Sequence, residues 1–140
     1  MTSNVTFLSS ERRGDFPKEW LDSPFSDYME VAFKATPEGG EYGLEFNDKF
    51  IGNPSLRAFH GGIVATFIES VAQMHLFQER QQAYFQTPET VTIDYLRPAL
   101  SSALIAIPKV VRIGRNVSTI AVDVMQNSKV VAKGRVIFTG

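Results

Sequence analysis

The 140-residue chain contains no cysteine, and this absence excludes several kinds of chemistry at once. A disulfide framework, a thiolate nucleophile and a zinc site built on sulfur all need cysteine side chains. Long apolar runs are also missing: the N-terminal segment is apolar only from Val5 to Leu8, and no later stretch approaches the roughly 20 residues of a membrane span. We therefore expect a soluble, cytoplasmic protein that is stabilised by side-chain packing alone.

A strong excess of one charge is missing too, because 14 basic and 15 acidic residues leave a formal net charge of -1. Such a chain gives no reason to expect nucleic acid or a membrane as a partner. The charges are unevenly distributed, since residues 97–140 hold seven bases and one acid, whereas residues 1–49 hold ten acids and five bases. Charge alone favours two halves that neutralise each other, but a cationic rim for a phosphate-bearing small molecule also fits.

The length predicts one domain. Residues 1–26 are expected to form a lead-in segment with a helical turn or two that stops near Ser23-Pro24. From residue 27 to residue 140 the pattern predicts two strands, one long helix over about residues 62–82, and four more strands. This order predicts an α+β fold, in which an antiparallel sheet of about six strands wraps around one long central helix.

The predicted helix is apolar around most of its surface, which predicts that it is mostly buried. Its polar residues fall in one stripe that contains Thr66, Glu69, Ser70 and Gln73. An ordinary amphipathic helix with this stripe in water explains the pattern, and Arg80 on the same line supports that interpretation. The stripe is narrow and also contains Phe77, so it can instead line a cleft or a subunit seam. Periodicity leaves the two interpretations level.

Two glycines, Gly61 and Gly62, open the helix. The first helical turn leaves backbone N–H groups without partners, and glycine lets another molecule approach these donors closely, as in an oxyanion hole. Glu69 lies eight residues after Gly61, roughly 12 Å along the axis, so one helix can hardly bring both to a single carbonyl. A two-fold dimer can do so by placing Glu69 of one chain at the helix opening of the other. A loop with unusual backbone angles also explains the glycines.

The histidines and serines give weaker signals. His60 can act as a base, but a histidine just before a helix more often fixes loop geometry by hydrogen bonding. His75 lies on the face opposite the polar stripe and is expected to be structural. The two histidines are fifteen residues apart and no acid cluster joins them, so no metal site is expected. The absence of a Gly-x-Ser-x-Gly motif argues against a serine hydrolase.

The stretches NPSLRAFHGGIVATFIES and VTIDYLRPA resemble the hotdog-fold acyl-CoA thioesterases of the PaaI-like and 4-hydroxybenzoyl-CoA type. The resemblance spans roughly residues 28–139, and its most specific part is the His-Gly-Gly opening with an acid nine residues after the histidine. It implies a hotdog thioesterase domain that hydrolyses an acyl-CoA without any cofactor beyond the coenzyme A of the substrate. It also implies a homodimer or a dimer of dimers with the sites at the seam.

The resemblance further implies roles for individual residues. The Gly61 N–H would polarise the thioester carbonyl, Glu69 would serve as general base or nucleophile, and His60 and Asn53 would shape the site. Either Gln73, one turn after Glu69, or Thr87 would help to hold water. The residues expected to bind substrate are Gly62, Arg97, Arg112, Arg115 and Asn116, with the arginines at coenzyme A phosphates. Each arginine taken singly also fits a solvated surface charge.

Two other functions stay open. One is a non-catalytic hotdog module that binds acyl-CoA or another ligand, because a fold does not fix a function. The other is a hotdog hydratase or dehydratase, which would need a catalytic histidine paired with an acid near the helix. His60 makes this second alternative conceivable, but the glycine pair and Glu69 suit hydrolysis better.

Overall fold

The structure is a computed structural model that describes residues 23–34, 36–37, 39–80 and 86–140. Its first helix, α1 (Pro24–Met29), begins where the sequence pattern predicts a stop. The Ser23 Oγ accepts the Ser26 N–H at 3.1 Å, and a proline in the first turn gives up a hydrogen-bond donor that would have had no partner. The predicted helical turns ahead of Ser23 lie outside the described residues, so their stop near Ser23-Pro24 stays a prediction. The division into a lead-in and a domain stays a prediction.

Within the described residues, eight strands and one long helix follow α1. The strands are β1 (Ala32–Lys34), β2 (Glu41–Leu44), β3 (Ile51–Asn53), β4 (Ala58–Phe59), β5 (Pro88–Tyr95), β6 (Leu104–Ile113), β7 (Val117–Gln126) and β8 (Lys129–Thr139). The long helix, α2 (Gly61–Arg80), comes between β4 and β5. None of the helices in the described ranges is long and apolar enough to cross a membrane.

Six of the strands form one antiparallel sheet in the order β1-β2-β6-β7-β8-β5, while β3 and β4 form a separate two-stranded ribbon. Alternation sets the two faces of this sheet: along β7, every second residue from Ser118 to Gln126 is buried. The β7–β8 turn at Asn127-Ser128 has φ values of 51° and 69°, as a tight two-residue hairpin requires. The predicted antiparallel sheet and central helix are confirmed.

The long helix packs its apolar face on the buried face of the sheet. Its buried apolar residues are Val64, Phe67, Ile68, Val71, Ala72, Met74 and Leu76. Contact with the sheet is close because Gly134 of β8 has no side chain: a Cβ there would lie 2.5 Å from the Ile68 Cγ2. This packing fixes the direction of α2, and thereby the position of its N-terminus.

His75 is a buried titratable group on α2, and its position agrees with a structural role. It is 3% exposed, its ring meets the Tyr42 ring edge-on at 6.5 Å, and its Nε2 lies 3.9 Å from the Glu79 carboxylate. No described residue accepts or donates a hydrogen bond at its Nδ1. Burial lowers the pKa of His75 below 6.5, and the nearby charge of Glu79 opposes this shift only in part.

A stability measurement against pH tests this burial. The unfolded chain takes up a proton at His75 near pH 6.5, whereas the folded chain resists it. We therefore expect the free energy of unfolding to fall below that pH, by at most about 1.4 kcal/mol per pH unit from this group. His75→Gln should lose this contribution, because glutamine does not titrate. Denaturant unfolding of both proteins between about pH 5 and pH 8 gives the difference, and parallel curves would contradict the prediction.

Candidate active site

The ribbon of β3 and β4 fixes the chain just before α2. The His60 N–H donates to the Phe50 carbonyl at 2.7 Å, and the Phe59 N–H donates to the Ala99 carbonyl at 2.8 Å. A Cβ at Gly52 would lie 2.6 Å from the His60 Cα, so only glycine lets β3 pass this close. His60 is thus held from both sides at the start of the helix.

His60 also caps the first turn of α2. Its Nδ1 accepts the Gly62 N–H at 2.8 Å, and its carbonyl oxygen accepts the N–H groups of Ile63 at 2.9 Å and Val64 at 3.2 Å. The remaining first-turn donor is the Gly61 N–H, for which the described part of the chain supplies no acceptor. One backbone donor at the positive end of a 20-residue helix is therefore available to a ligand.

Tyr95, the last residue of β5, lies against the opening glycine. Its hydroxyl donates to the Gly61 carbonyl at 2.9 Å, and three of its ring-end atoms lie 3.6 Å from the place of a Cβ on Gly61. The side chain is nevertheless 57% exposed. Tyr95 was not assigned to the site from the sequence. The available signal was its hydroxyl, two residues before the predicted substrate-binding Arg97, because a tyrosine hydroxyl usually finds a hydrogen-bond partner.

A cleft of about 330 Å³ opens beside Gly61. Its walls are mostly apolar and include Phe59, Val64, Tyr95, Ala99 and Val131. Arg97 is the one charged residue among the described residues that line it. An apolar cleft with one backbone donor and one cation at its lining suits a ligand that is largely uncharged but has an anionic end.

The loop that carries Arg97 into the cleft lining is held by the buried Gln126. The Gln126 amide donates to the carbonyls of Leu100 at 2.8 Å and Ser102 at 2.9 Å, and it accepts the Leu100 N–H at 2.8 Å. The Leu96 and Arg97 N–H groups both donate to the Val131 carbonyl. This wall of the cleft is therefore tied to two strands.

Replacing Gln126 should destabilise the protein. Gln126→Leu keeps the size but leaves three loop groups without their partner, so we expect the free energy of unfolding to drop by about 1 to 3 kcal/mol in denaturant titrations. Ser102→Ala is the control, because it removes a partly exposed hydroxyl and keeps the Ser102 carbonyl, and it should change stability by less than about 0.5 kcal/mol. Equal stability of the two variants would contradict the assigned role of Gln126.

Glu69 lies in the middle of the polar stripe of α2 and is half-buried. It forms no hydrogen bond or salt bridge with any residue that the structure describes. The described part of the chain therefore supplies no partner for this partly exposed carboxylate. It stays available to another molecule or to a second copy of the chain.

The other polar residues of the stripe are engaged. Thr66 donates to the Gly62 carbonyl at 2.8 Å, Ser70 is buried, and the Gln73 amide donates to the Gln86 carbonyl at 3.1 Å. Arg80 donates to the Ser118 hydroxyl at 2.7 Å and to the Gly114 carbonyl. Arg80 therefore anchors the β6–β7 turn. It no longer supports the interpretation that the polar stripe of α2 is a solvated face.

The structure brings some predicted site residues together within one chain and separates others. Gly61 and Arg97 line the same cleft, with His60 and Gly62 adjacent. Asn53 is exposed and accepts the Ser55 N–H at 3.0 Å, so its side chain caps its own turn. Three predicted residues lie away from the cleft, near the C-terminal end of α2: Arg112 near the end of β6, and Arg115 and Asn116 in the β6–β7 turn that Arg80 anchors. Among the described residues, no cluster of histidines and acids could hold a metal ion.

An unpaired edge of the sheet runs past this region. β5 pairs only with β8, so the backbone groups of its outer edge have no strand partner among the described residues. The strand is eight residues long, and Val91 and Tyr95 on it are 37% and 57% exposed. A long edge strand with exposed apolar side chains is typical of a surface that pairs with another chain.

Comparisons with known proteins bear on the family and the fold of this chain. A family model described as acyl-CoA thioesterase N-terminal domain matches residues 53–139. No curated protein sequence matches the chain. One similar solved structure is a phenylacetic acid degradation-related protein from Ralstonia eutropha, with 22% identity over 96% of this chain and 100% of that chain and a TM-score of 0.77. Another is zebrafish thioesterase superfamily member 2, with 21% identity over 97% of this chain and 100% of that chain and a TM-score of 0.75. The PaaI protein of E. coli is similar at 19% identity over 82% of this chain and 86% of that chain, with a TM-score of 0.68. These likenesses confirm the predicted hotdog fold.

Proposed function

Because this chain belongs to the acyl-CoA thioesterase N-terminal domain family, we propose that it hydrolyses an acyl-CoA to a free acid and coenzyme A. The observation that carries the proposal is the available Gly61 N–H beside an apolar cleft, at the positive end of α2. A thioester carbonyl gains negative charge on its oxygen when a nucleophile adds, and a fixed backbone donor stabilises that charge.

Glu69 is proposed to supply the second half of the chemistry. As a general base it takes a proton from water while the water oxygen adds to the thioester carbon; as a nucleophile it adds to that carbon itself and water releases the acid afterwards. In both cases the carbon–sulfur bond breaks, and the sulfur leaves as the coenzyme A thiol after it gains a proton. A thioester is reactive enough for a carboxylate and a backbone donor to suffice.

Both groups meet only if two copies of the chain associate. Glu69 lies eight residues after Gly61 on the same helix, which corresponds to roughly 12 Å along its axis. We propose a two-fold dimer in which the free edges of two β5 strands adjoin and Glu69 of one chain faces Gly61 of its partner.

Light scattering at working concentration should give a dimer or a dimer of dimers, and a strict monomer would contradict this arrangement.

The same two-fold arrangement gives the separated basic residues a role. Helices that run in opposite directions across a dimer axis bring the far end of one chain beside the near end of the other. Arg112, Arg115 and Asn116 of one chain can then contact a coenzyme A whose thioester lies at Gly61 of the partner, while Arg97 contacts it from the same chain as that Gly61. Arginines suit this task because they bind phosphate groups in a bidentate manner.

A substrate panel tests the proposed function. Free thiol is measured after the chain is mixed with short, medium, long and aromatic acyl-CoAs, and the acid product is quantified in parallel. We expect turnover of at least one class, with one acid formed per thiol. Tight binding of acyl-CoA without turnover would favour a ligand-binding module, and a change in an enoyl-CoA without thiol release would favour a hydratase.

A further inference from the structure

The first turn of α2 carries the available Gly61 N–H donor, although it begins with two glycines, which are the most flexible residues. Gly61 and Gly62 have no side chains to restrict their backbone angles, and the first turn of a helix is where fraying begins. A donor that stabilises a transition state has to be fixed before the reaction starts. Some contact outside the helix must therefore hold these two residues.

Two side chains hold the peptide group that joins Gly61 to Gly62, one at its carbonyl oxygen and one at its N–H. The Gly61 carbonyl and the Gly62 N–H belong to the same peptide unit. The Tyr95 hydroxyl donates to this carbonyl at 2.9 Å, and the His60 Nδ1 accepts this N–H at 2.8 Å. The unit that follows Gly61 is thus clamped at both of its polar atoms, and the carbonyl of the preceding unit accepts the N–H groups of Ile63 and Val64.

Packing in the hydrophobic core does not explain the hydrogen bond between Tyr95 and Gly61. In a single chain Tyr95 is 57% exposed, so this hydrogen bond contributes little to the stability of the monomer fold. Tyr95 also lines the cleft beside Gly61, on a strand that lies 34 residues away along the chain from the glycine it contacts. Its hydroxyl is therefore placed where it affects the geometry of the site more than the stability of the fold.

We propose that Tyr95 is a positioning residue: its hydroxyl, together with the His60 ring, holds the Gly61–Gly62 peptide so that the Gly61 N–H keeps its direction into the cleft. This inference rests on the proposed thioesterase function. A positioning residue of this kind acts on the transition state, in which the carbonyl oxygen carries the negative charge, more than on the bound substrate.

Tyr95→Phe removes the hydroxyl and keeps the ring. We expect kcat for the best acyl-CoA of the panel to fall about 10-fold, which is less than the loss of a whole oxyanion donor, while KM changes by less than about twofold. Tyr28→Phe is the matched control, because Tyr28 is 40% exposed and its hydroxyl donates to the backbone carbonyl of Lys49 at 3.1 Å, outside the cleft lining. Melting temperature and light scattering check that both variants fold and assemble like the native chain.

A double variant separates positioning from direct contact with the substrate. Gly61→Pro removes the donor that Tyr95 is proposed to aim, so adding Tyr95→Phe to it should have almost no further effect on kcat. An undiminished 10-fold loss in that background, or unchanged kcat in Tyr95→Phe alone, overturns the inference and leaves the proposed function standing. A native chain that releases no thiol from any acyl-CoA overturns both.

Discussion

Glu69→Gln is expected to lower kcat/KM for acyl-CoA hydrolysis by at least about 100-fold, the scale on which a general base contributes. Glutamine keeps the size and the hydrogen-bonding capacity of the side chain, but it neither takes a proton from water nor attacks a carbonyl at neutral pH. Because Glu69 has no hydrogen-bond or salt-bridge partner among the described residues, the change breaks no ion pair there. The loss should therefore appear in the rate and not in the melting temperature.

Glu79→Gln is the control for this variant. It makes the same chemical change ten residues further along α2, where the side chain is 43% exposed and lies near His75. We expect thiol release by this control to stay within about twofold of the native rate, since surface substitutions away from a site have small effects. Near-equal rates of Glu69→Gln and the native chain would remove Glu69 from the mechanism.

The central helix was predictable because its signal is local and repeated. Apolar residues recur at helical spacing from Val64 to Leu76, and the structure begins the helix at Gly61, within one residue of the predicted start. Local signals are ambiguous at Ser23-Pro24. Serine and proline occur both where helices start and just after they stop, and in the structure Ser23 caps the start of α1.

The contacts that complete the candidate site were not predictable, because they join residues far apart in the chain. Tyr95 reaches Gly61 across 34 positions, and Arg80 reaches Ser118 across 38. Periodicity indicates the face of a helix on which a residue lies, but it does not indicate what lies opposite. Arg80 therefore looked like a residue in water, although it anchors a turn between two strands.

The sequence and the structure supply different parts of the argument for a site shared between two chains. Helix geometry separates Gly61 from Glu69 on one chain, so the sequence predicts that a second copy is needed for both groups to act on one carbonyl. The structure adds a reason why a second copy would associate, namely the free edge of β5 with its exposed Val91 and Tyr95. It also accounts for every first-turn donor except one, which the sequence could not do.

Gly61→Pro is expected to lower kcat by about 100- to 1000-fold, the cost of removing one oxyanion donor. Proline lacks the N–H and is well tolerated as the first residue of a helix, so the variant removes the donor and keeps the helix. The proline Cβ has room, since the nearest neighbour of a Cβ at Gly61 lies 3.6 Å away. Gly61→Ala adds a Cβ but retains the N–H, and it should lose much less activity. Equal losses in the two variants would indicate a steric effect.

Mixing Gly61→Pro with Glu69→Gln tests whether the two groups act across a dimer axis. Random association makes half of the dimers mixed, and each mixed dimer has one site with an intact Gly61 and an intact Glu69 from different chains. We expect activity to recover to about one quarter of the native value per chain. If both groups acted within one chain, every site would keep one defect and the mixture would show only the average of the two variants. Recovery therefore depends on the proposed dimer and cannot arise from either chain alone.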